Sequence, residues 1–296
     1  MRRCVLGLAV LMPLAACDKE RTEDFLTEIG VGDGRPEQLP GVYTPVPRGD
    51  LEELARVGRW VDVGGRALEL ATATVIDRMG TVDGDVILPL VDIDPEGTSG
   101  QVVFIRWPGA KANAGPLRMD DAERWVMVAM MFGPDRVIDV ELLYGEVPGG
   151  SVEERRIDAL LVVAAELQRR HPGQAFYTVD RFQAEPTGNK RKPQRIATVV
   201  YALAQGSGGP DLELATEEPR KPKRGKRPEP PALVRALEVH GKGVLDADPI
   251  VVALPDPHPL TVARAMAKGT PTRVRAASGT YEVAVDGAVV RMTSPP

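Results

Sequence analysis

The sequence predicts a mixed α+β protein: a largely antiparallel sheet with one main helix, then a disordered linker and a small α+β module. Three observations predict it. Apolar runs of strand length recur from Asp85 to Tyr144 with turn residues between them, one amphipathic helical pattern starts at Ser151, and residues 205–231 carry few apolar side chains. The 296 residues, 43% hydrophobic and 27% charged, suit a globular body of about two domains. The divisions expected are a signal segment at 1–17, a flexible stalk at 18–48, an α+β domain at 49–204, a disordered charged linker at 205–231 and a small module at 232–296.

Gly30, Gly32, Gly34, Pro36, Pro40, Pro45 and Pro47 disfavour regular structure before residue 49. Gly30-Val31-Gly32-Asp33-Gly34 lacks the preceding strand and following helix that a dinucleotide-binding loop requires. Asp50 and Glu53 are spaced as a capping box before Leu51, Leu54 and Ala55, which predicts a short helix. Arg59 to Val63 and Arg66 to Leu70 flank Gly64-Gly65, a two-residue connection that predicts a hairpin. Alternation at Leu68, Leu70, Thr72 and Thr74 supports the second strand.

Strands follow at Asp85 to Ile93, Gln101 to Trp107, Arg124 to Phe132 and Val137 to Tyr144. Val126 to Met131 is apolar on both faces, as in a strand covered on both sides. The main helix starts at Ser151, with Glu154 completing a capping box and Ile157, Leu160, Leu161, Ala164 and Leu167 marking its apolar face. Arg169-Arg170 suit the negative end of its dipole, and His171-Pro172-Gly173 stops it. Strands at Ala175 to Phe182 and Ile196 to Leu203 enclose a polar loop from Glu185 to Pro193.

In the linker, Gly206 to Pro210 is followed by Glu217-Glu218 and by a basic cluster of Arg220, Lys221, Lys223, Arg224, Lys226 and Arg227 among prolines. So little apolar surface does not offset the entropy of ordering. Adhesion of the basic cluster to anionic lipid headgroups is the functional alternative. In the last segment, Pro249 to Leu254 reads as a strand, Leu260 to Lys268 as a short helix, and Thr272 to Ala276, Tyr281 to Val285 and Ala288 to Met292 as three strands turned at Ser278-Gly279 and Asp286-Gly287. A unit of about sixty residues buries too little surface to be stable alone, so it is expected to pack on the larger domain or on a partner. No internal repeat is evident.

The chemistry is bounded mainly by exclusion. The sequence has no Gly-x-Ser-x-Gly elbow, no Ser-x-x-Lys pair, no His-Glu-x-x-His and no P-loop ending in Gly-Lys-Ser/Thr. Its three histidines are His171 at a helix stop, His240 in a Gly-flanked turn and His258 in a proline-rich turn near Asp256, where it is a candidate base or ligand. Asp92, Asp94 and Glu96 before Gly97 imitate half a calcium loop, but Val103 stands where the closing bidentate Glu belongs and Pro95 stiffens the turn. Asp120, Asp121, Asp246 and Asp248 are acid pairs that would serve glycoside chemistry only at a defined spacing, and Asp120 with Glu123 reads equally well as a helix cap. No catalytic residue, cofactor or metal ligand is assigned.

The strongest single signal is at the start. Arg2-Arg3 precede an apolar run from Val5 to Leu14 that is too short to span a bilayer and has the anatomy of a secretory signal. Leu14-Ala15-Ala16-Cys17 closes it and resembles the lipobox of bacterial lipoprotein precursors. The resemblance covers residues 1–17 only. It implies cleavage before Cys17, a thioether-linked diacylglycerol on that sulfur and usually an amide-linked acyl chain such as palmitate, and two or three chains hold a protein firmly to a bilayer. Asp18 next to the lipidated position favours the periplasmic face of the inner membrane by the sorting rule of enterobacteria-like lipoproteins.

Cleavage would leave no free thiol, since Cys4 departs and Cys17 is acylated, so a disulfide, a thiolate nucleophile and a thiolate zinc ligand are excluded. With Arg2 and Arg3 gone, the formal charge moves from −5 to −7, a poor match for phosphate backbones, and nucleic acid is not expected as a partner. The function expected is that of a membrane-tethered envelope lipoprotein acting as a non-enzymatic accessory or binding protein, its partners the membrane and an envelope protein. An envelope hydrolase using carboxylates or a bound metal is the alternative.

Overall fold

Asp50 caps a helix far longer than the capping box alone announces: α1 runs from Leu51 to Met79, 29 residues, with the Asp50 carboxylate accepting the Glu53 N–H at 2.9 Å. The computed structural model describes residues 50–80, 85–94, 96–109, 117, 119–133, 135–143, 145–149, 151–185, 195–205, 209–218, 230–240 and 248–292. The hairpin expected around Gly64-Gly65 is therefore replaced by helix. The reason is packing. An added Cβ at Gly64 would lie 2.7 and 2.8 Å from the two γ carbons of Val179, and one at Gly58 would lie 2.5 Å from Val262 Cβ. These glycines are the contact points of a helix, and Val57, Val61, Gly64, Leu68, Ala71 and Val75 form its buried stripe at spacings of three and four. Thr74, expected in a strand, donates its hydroxyl to the Leu70 carbonyl at 2.8 Å, a helical back-bond.

The strands then appear close to where the sequence places them: β1 (Val86–Ile93), β2 (Ser99–Trp107), β3 (Glu123–Met131) and β4 (Arg136–Leu142), paired antiparallel in the order β1-β2-β3-β4. Ser151 caps α2 (Val152–Arg170) by accepting the Glu154 N–H at 3.0 Å, and a second antiparallel meander follows: β5 (Phe176–Glu185), β6 (Arg195–Ala204), β7 (Asp211–Glu217) and β8 (Ala232–His240). The element order α-β-β-β-β thus occurs twice, a repeat of topology that is invisible in the residues. Two boundaries change. Asp211–Glu217, inside the expected linker, is a buried interior strand, and Ala232–His240, expected in the small module, is the edge strand beside it. The basic cluster, the polar loop beyond Glu185, the stalk and the signal segment lie outside the described residues.

The two sheets adjoin along β1 and β5, which are not paired with each other, and both faces are covered near that seam, whereas β4 is largely exposed. Val61, Leu68 and Val75 of α1 pack on Val102, Phe104 and Val128 of the first sheet and on Val199 and Tyr201 of the second. On the opposite face Ile157, Leu160 and Val163 of α2 pack on Leu88, Ile105 and Trp107 and on Val200, Ala202 and Leu214. Successive residues such as Phe104 and Ile105, or Val200 and Tyr201, serve opposite layers because strand side chains alternate. The protein is α+β, with two long helices rather than one main helix.

The C-terminal module comprises β9 (Ile250–Val251), α3 (Pro259–Ala267), β10 (Thr272–Ala276), β11 (Gly279–Val283) and β12 (Val289–Met292), in the sheet order β12-β11-β10-β9. Its core of Ile250, Val252, Val274, Tyr281 and Val283 includes Leu54 and Ala55 from α1, so the module shares a helix with the larger body. Among the described residues no helix is long and apolar enough to cross a membrane.

Candidate functional site

Arg156 stands in the second turn of α2 beside the fully buried Ile157, and its guanidinium is drawn inward by carboxylates from both sheets. It donates Nε to Asp180 Oδ2 at 2.7 Å, Nη2 to Asp180 Oδ1 at 3.0 Å and to the Val91 carbonyl at 2.7 Å, and Nη1 to Asp92. One side chain thereby joins β1 to β5 and covers a carbonyl of an otherwise unpaired strand edge. Asp180 is 1% exposed and Arg156 11%. Burial works against the Arg156 charge, and the Asp180 and Asp92 carboxylates outweigh it and raise its pKa above the ordinary value.

At this end of the seam the layers open into a cleft of about 370 Å³, walled by Arg56, Val57 and Trp60 of α1, Val91 to Ile93 of β1, Val152 and Arg156 of α2, and Asp180 and Arg181 of β5. Arg56 donates Nε and Nη2 to the Glu53 carboxylate, each at 2.6 Å, while Arg181 Nη1 stands 3.6 Å from the same Glu53 Oε1. Two guanidiniums share one carboxylate. The hydrogen bond from Arg56 holds Glu53 below the usual carboxylate range against the opposing effect of burial. Trp60 meets Tyr201 edge to face at 6.5 Å, and Tyr201 meets His258 at 6.3 Å, so the cleft wall continues into a second polar cluster.

That cluster joins the second sheet to α3. Asp211 accepts the Ala204 N–H at 2.9 Å and two bonds from Arg264 at 2.8 and 2.6 Å, and its Oδ2 lies 3.2 Å from His240 Nδ1. An ionised carboxylate only accepts, so Nδ1 carries the proton, and Nε2 of the neutral ring accepts from the Thr261 hydroxyl at 2.8 Å. Burial, the largest influence, keeps the His240 pKa below the ordinary imidazole value despite the pull of Asp211. Asp211 is held below its usual range because its bonds from Arg264 and His240 overcome the opposite effect of burial. In His258, Nδ1 accepts the Leu260 N–H at 3.2 Å, capping α3, and Nε2 donates to Glu213 at 2.8 Å. The carboxylate–imidazole–hydroxyl order of Asp211, His240 and Thr261 is that of a nucleophilic relay. All three are at most 1% exposed, so no substrate reaches the hydroxyl, and the arrangement works as an internal fastener.

The candidates read from the sequence are therefore dispersed. Asp92 lines the cleft in an ion pair. Asp94 turns back on its own loop, accepting from the backbone of Glu96, Thr98 and Ser99 and from the Thr98 and Ser99 hydroxyls, of which the Ser99 hydroxyl does most to keep its pKa far below the usual value. This closes the β1–β2 turn. Asp248 is exposed and paired with Arg273 at 3.3 Å, Asp121 belongs to a short 3-10 turn (Met119–Asp121), and His171 is the C-cap of α2. His258 and His240, expected in turns, are a helix cap and the buried end of β8. Asp246, Cys17, Gly30, Gly32 and Gly34 lie outside the described residues, as does the side chain of Asp120. Among the described residues no group of three or more His, Cys, Asp or Glu is placed to hold a metal.

Sequence reasoning missed Arg56, Arg156, Arg181 and Asp180 entirely. One signal was available: Asp211 and Glu213 alternate with Leu212 and Leu214, the pattern of a strand carrying charges into a covered face. The chain matches no protein-family model, no curated protein and no solved structure.

Proposed function

We propose that the chain is a membrane-tethered lipoprotein of the bacterial cell envelope, acting as a non-enzymatic accessory or binding protein. The observation that carries this reading is the ending Leu14-Ala15-Ala16-Cys17 on a short apolar segment after Arg2-Arg3. The body adds support. Its buried histidines and most of its inward carboxylates are engaged in internal pairs, whereas the cleft beside Trp60 offers guanidinium and apolar surface together, the composition of a binding wall. The membrane, through the anchor, and an envelope protein are the partners, on the periplasmic face of the inner membrane where Asp18 directs it. An acidic body makes nucleic acid a poor partner.

The test is metabolic labelling with palmitate. Label is expected on the natural chain and not on Cys17→Ala. A Cys17→Ala variant that stayed on membranes after a salt wash would overturn the anchoring. Affinity capture of the lipidated protein from its own membranes is expected to return a stoichiometric envelope protein or ligand.

A further inference from the structure

We infer that the cleft at the β1–β5 seam binds a monocarboxylate with an apolar body, its carboxylate received by Arg56 and Arg181. Glu53 is the carboxylate that pairs with both guanidiniums, through Nε and Nη2 of Arg56 and Nη1 of Arg181. An incoming carboxylate supplies the second counter-charge that this pair lacks, through charge-assisted bonds for which the planar guanidinium is shaped. Beside the paired Asp92, Arg156 and Asp180, the wall is apolar at Val57, Trp60, Ile93 and Val152, the last 54% exposed. Asp92, 48% exposed beside Arg156, repels a second negative charge, which selects a monoanion over a phosphate or a dicarboxylate. The volume of about 370 Å³ falls at the small end of ligand sites.

A free small acid and the C-terminus of an apolar peptide share this chemistry, and the probes separate them. The polypeptide from Asp18 to Pro296, which contains every described residue, is titrated with octanoate, with octanamide and with N-acetyl-leucyl-phenylalanine. Trp60 emission and titration calorimetry report binding, since Trp107 and Trp125 are buried away from the cleft. Octanoate is expected to bind saturably and octanamide about tenfold more weakly or not at all, in line with a charged hydrogen bond. Arg56→Gln and Arg181→Gln are each expected to weaken octanoate about tenfold with the urea midpoint little changed. Tighter binding of the peptide than of octanoate identifies a protein terminus as the natural source, and the reverse identifies a free acid.

Equal binding of octanoate and octanamide, undiminished octanoate binding in both Arg variants, or no saturable binding of either carboxylate overturns the inference. It rests on the reading of the chain as a binding protein and names the ligand class. The two fail separately, because the titration does not depend on the anchor and capture of a partner does not depend on this cleft.

Discussion

Alanine at Gly64 and at Gly65 is expected to change stability in opposite directions, although the two residues are neighbours in one helix. At Gly64 the new methyl would stand 2.7 and 2.8 Å from the γ carbons of Val179, where carbon contacts prefer about 3.5–4.0 Å. Val179 is fully buried in β5, in the central seam, so its γ carbons can yield only by displacing other core side chains. Overpacking of this kind costs about 1–3 kcal/mol, and the helix preference of alanine returns about 1, leaving a net loss of up to ~2 kcal/mol. At Gly65 the nearest atom is Leu203 Cδ1 at 4.0 Å, so the helix preference acts alone and Gly65→Ala gains about 0.5–1 kcal/mol. Urea unfolding with an unchanged slope measures both. Val179→Ala removes both γ carbons, so the double variant Gly64→Ala/Val179→Ala should lose less than the sum of its parts by about 0.5–3 kcal/mol. Loss at Gly65 equal to or greater than loss at Gly64 would refute the argument, because it would mean that the pair makes a turn.

Other predictions follow from the buried charges. Arg156→Leu leaves Asp180 charged and without a partner at the seam and is expected to cost ~3 kcal/mol by urea unfolding, with Arg156→Lys only a partial rescue because an ammonium cannot reach Asp180, Asp92 and Val91 O in one plane. His240 favours its neutral form in the folded chain, so the folded state binds protons less readily than the unfolded one. Stability should fall as pH drops below about 6.5, and His240→Gln should flatten that limb of the profile. Asp158 behaves oppositely: burial first, then Glu154 and Glu218, raises its pKa to about 6, above an unfolded value of 3.8, so the stability present below pH 3.8 is lost as pH rises through 6. Asp158→Asn should therefore stabilise the protein above pH 6 by ~1–3 kcal/mol and change little at pH 4, an effect read from the unfolding midpoint at each pH.

The strands of the first sheet were legible because each is a local apolar run between turn residues, but the two-faced run Val126 to Met131 is not covered on both sides: Val126, Val128 and Met130 are buried under α1, while Met131 is 38% exposed. The capping boxes at Asp50 and Ser151 were legible for the same reason, since both partners lie three residues apart. The misreading of α1 came from treating Gly64-Gly65 as a turn. A glycine reads as a break when only its backbone freedom is considered, and as a contact when Val179 and Val262 are known to press on the helix. Asp211 and Glu213 were assigned to a linker because their partners, His240, His258 and Arg264, stand between 29 and 53 residues away.

The sequence by itself determined the class of fold, the positions of most strands and the start of both long helices, all of which depend on residues a few positions apart; the proposed tether at Cys17 rests on the same kind of local signal. Only the tertiary structure decided that two meanders meet edge to edge, that Arg156 bridges them and that a cleft opens where they part. The physical reason is range. Caps, alternation and turns are energies of neighbours along the chain, whereas a guanidinium shared by Asp92 and Asp180 is an energy between elements brought together only by folding.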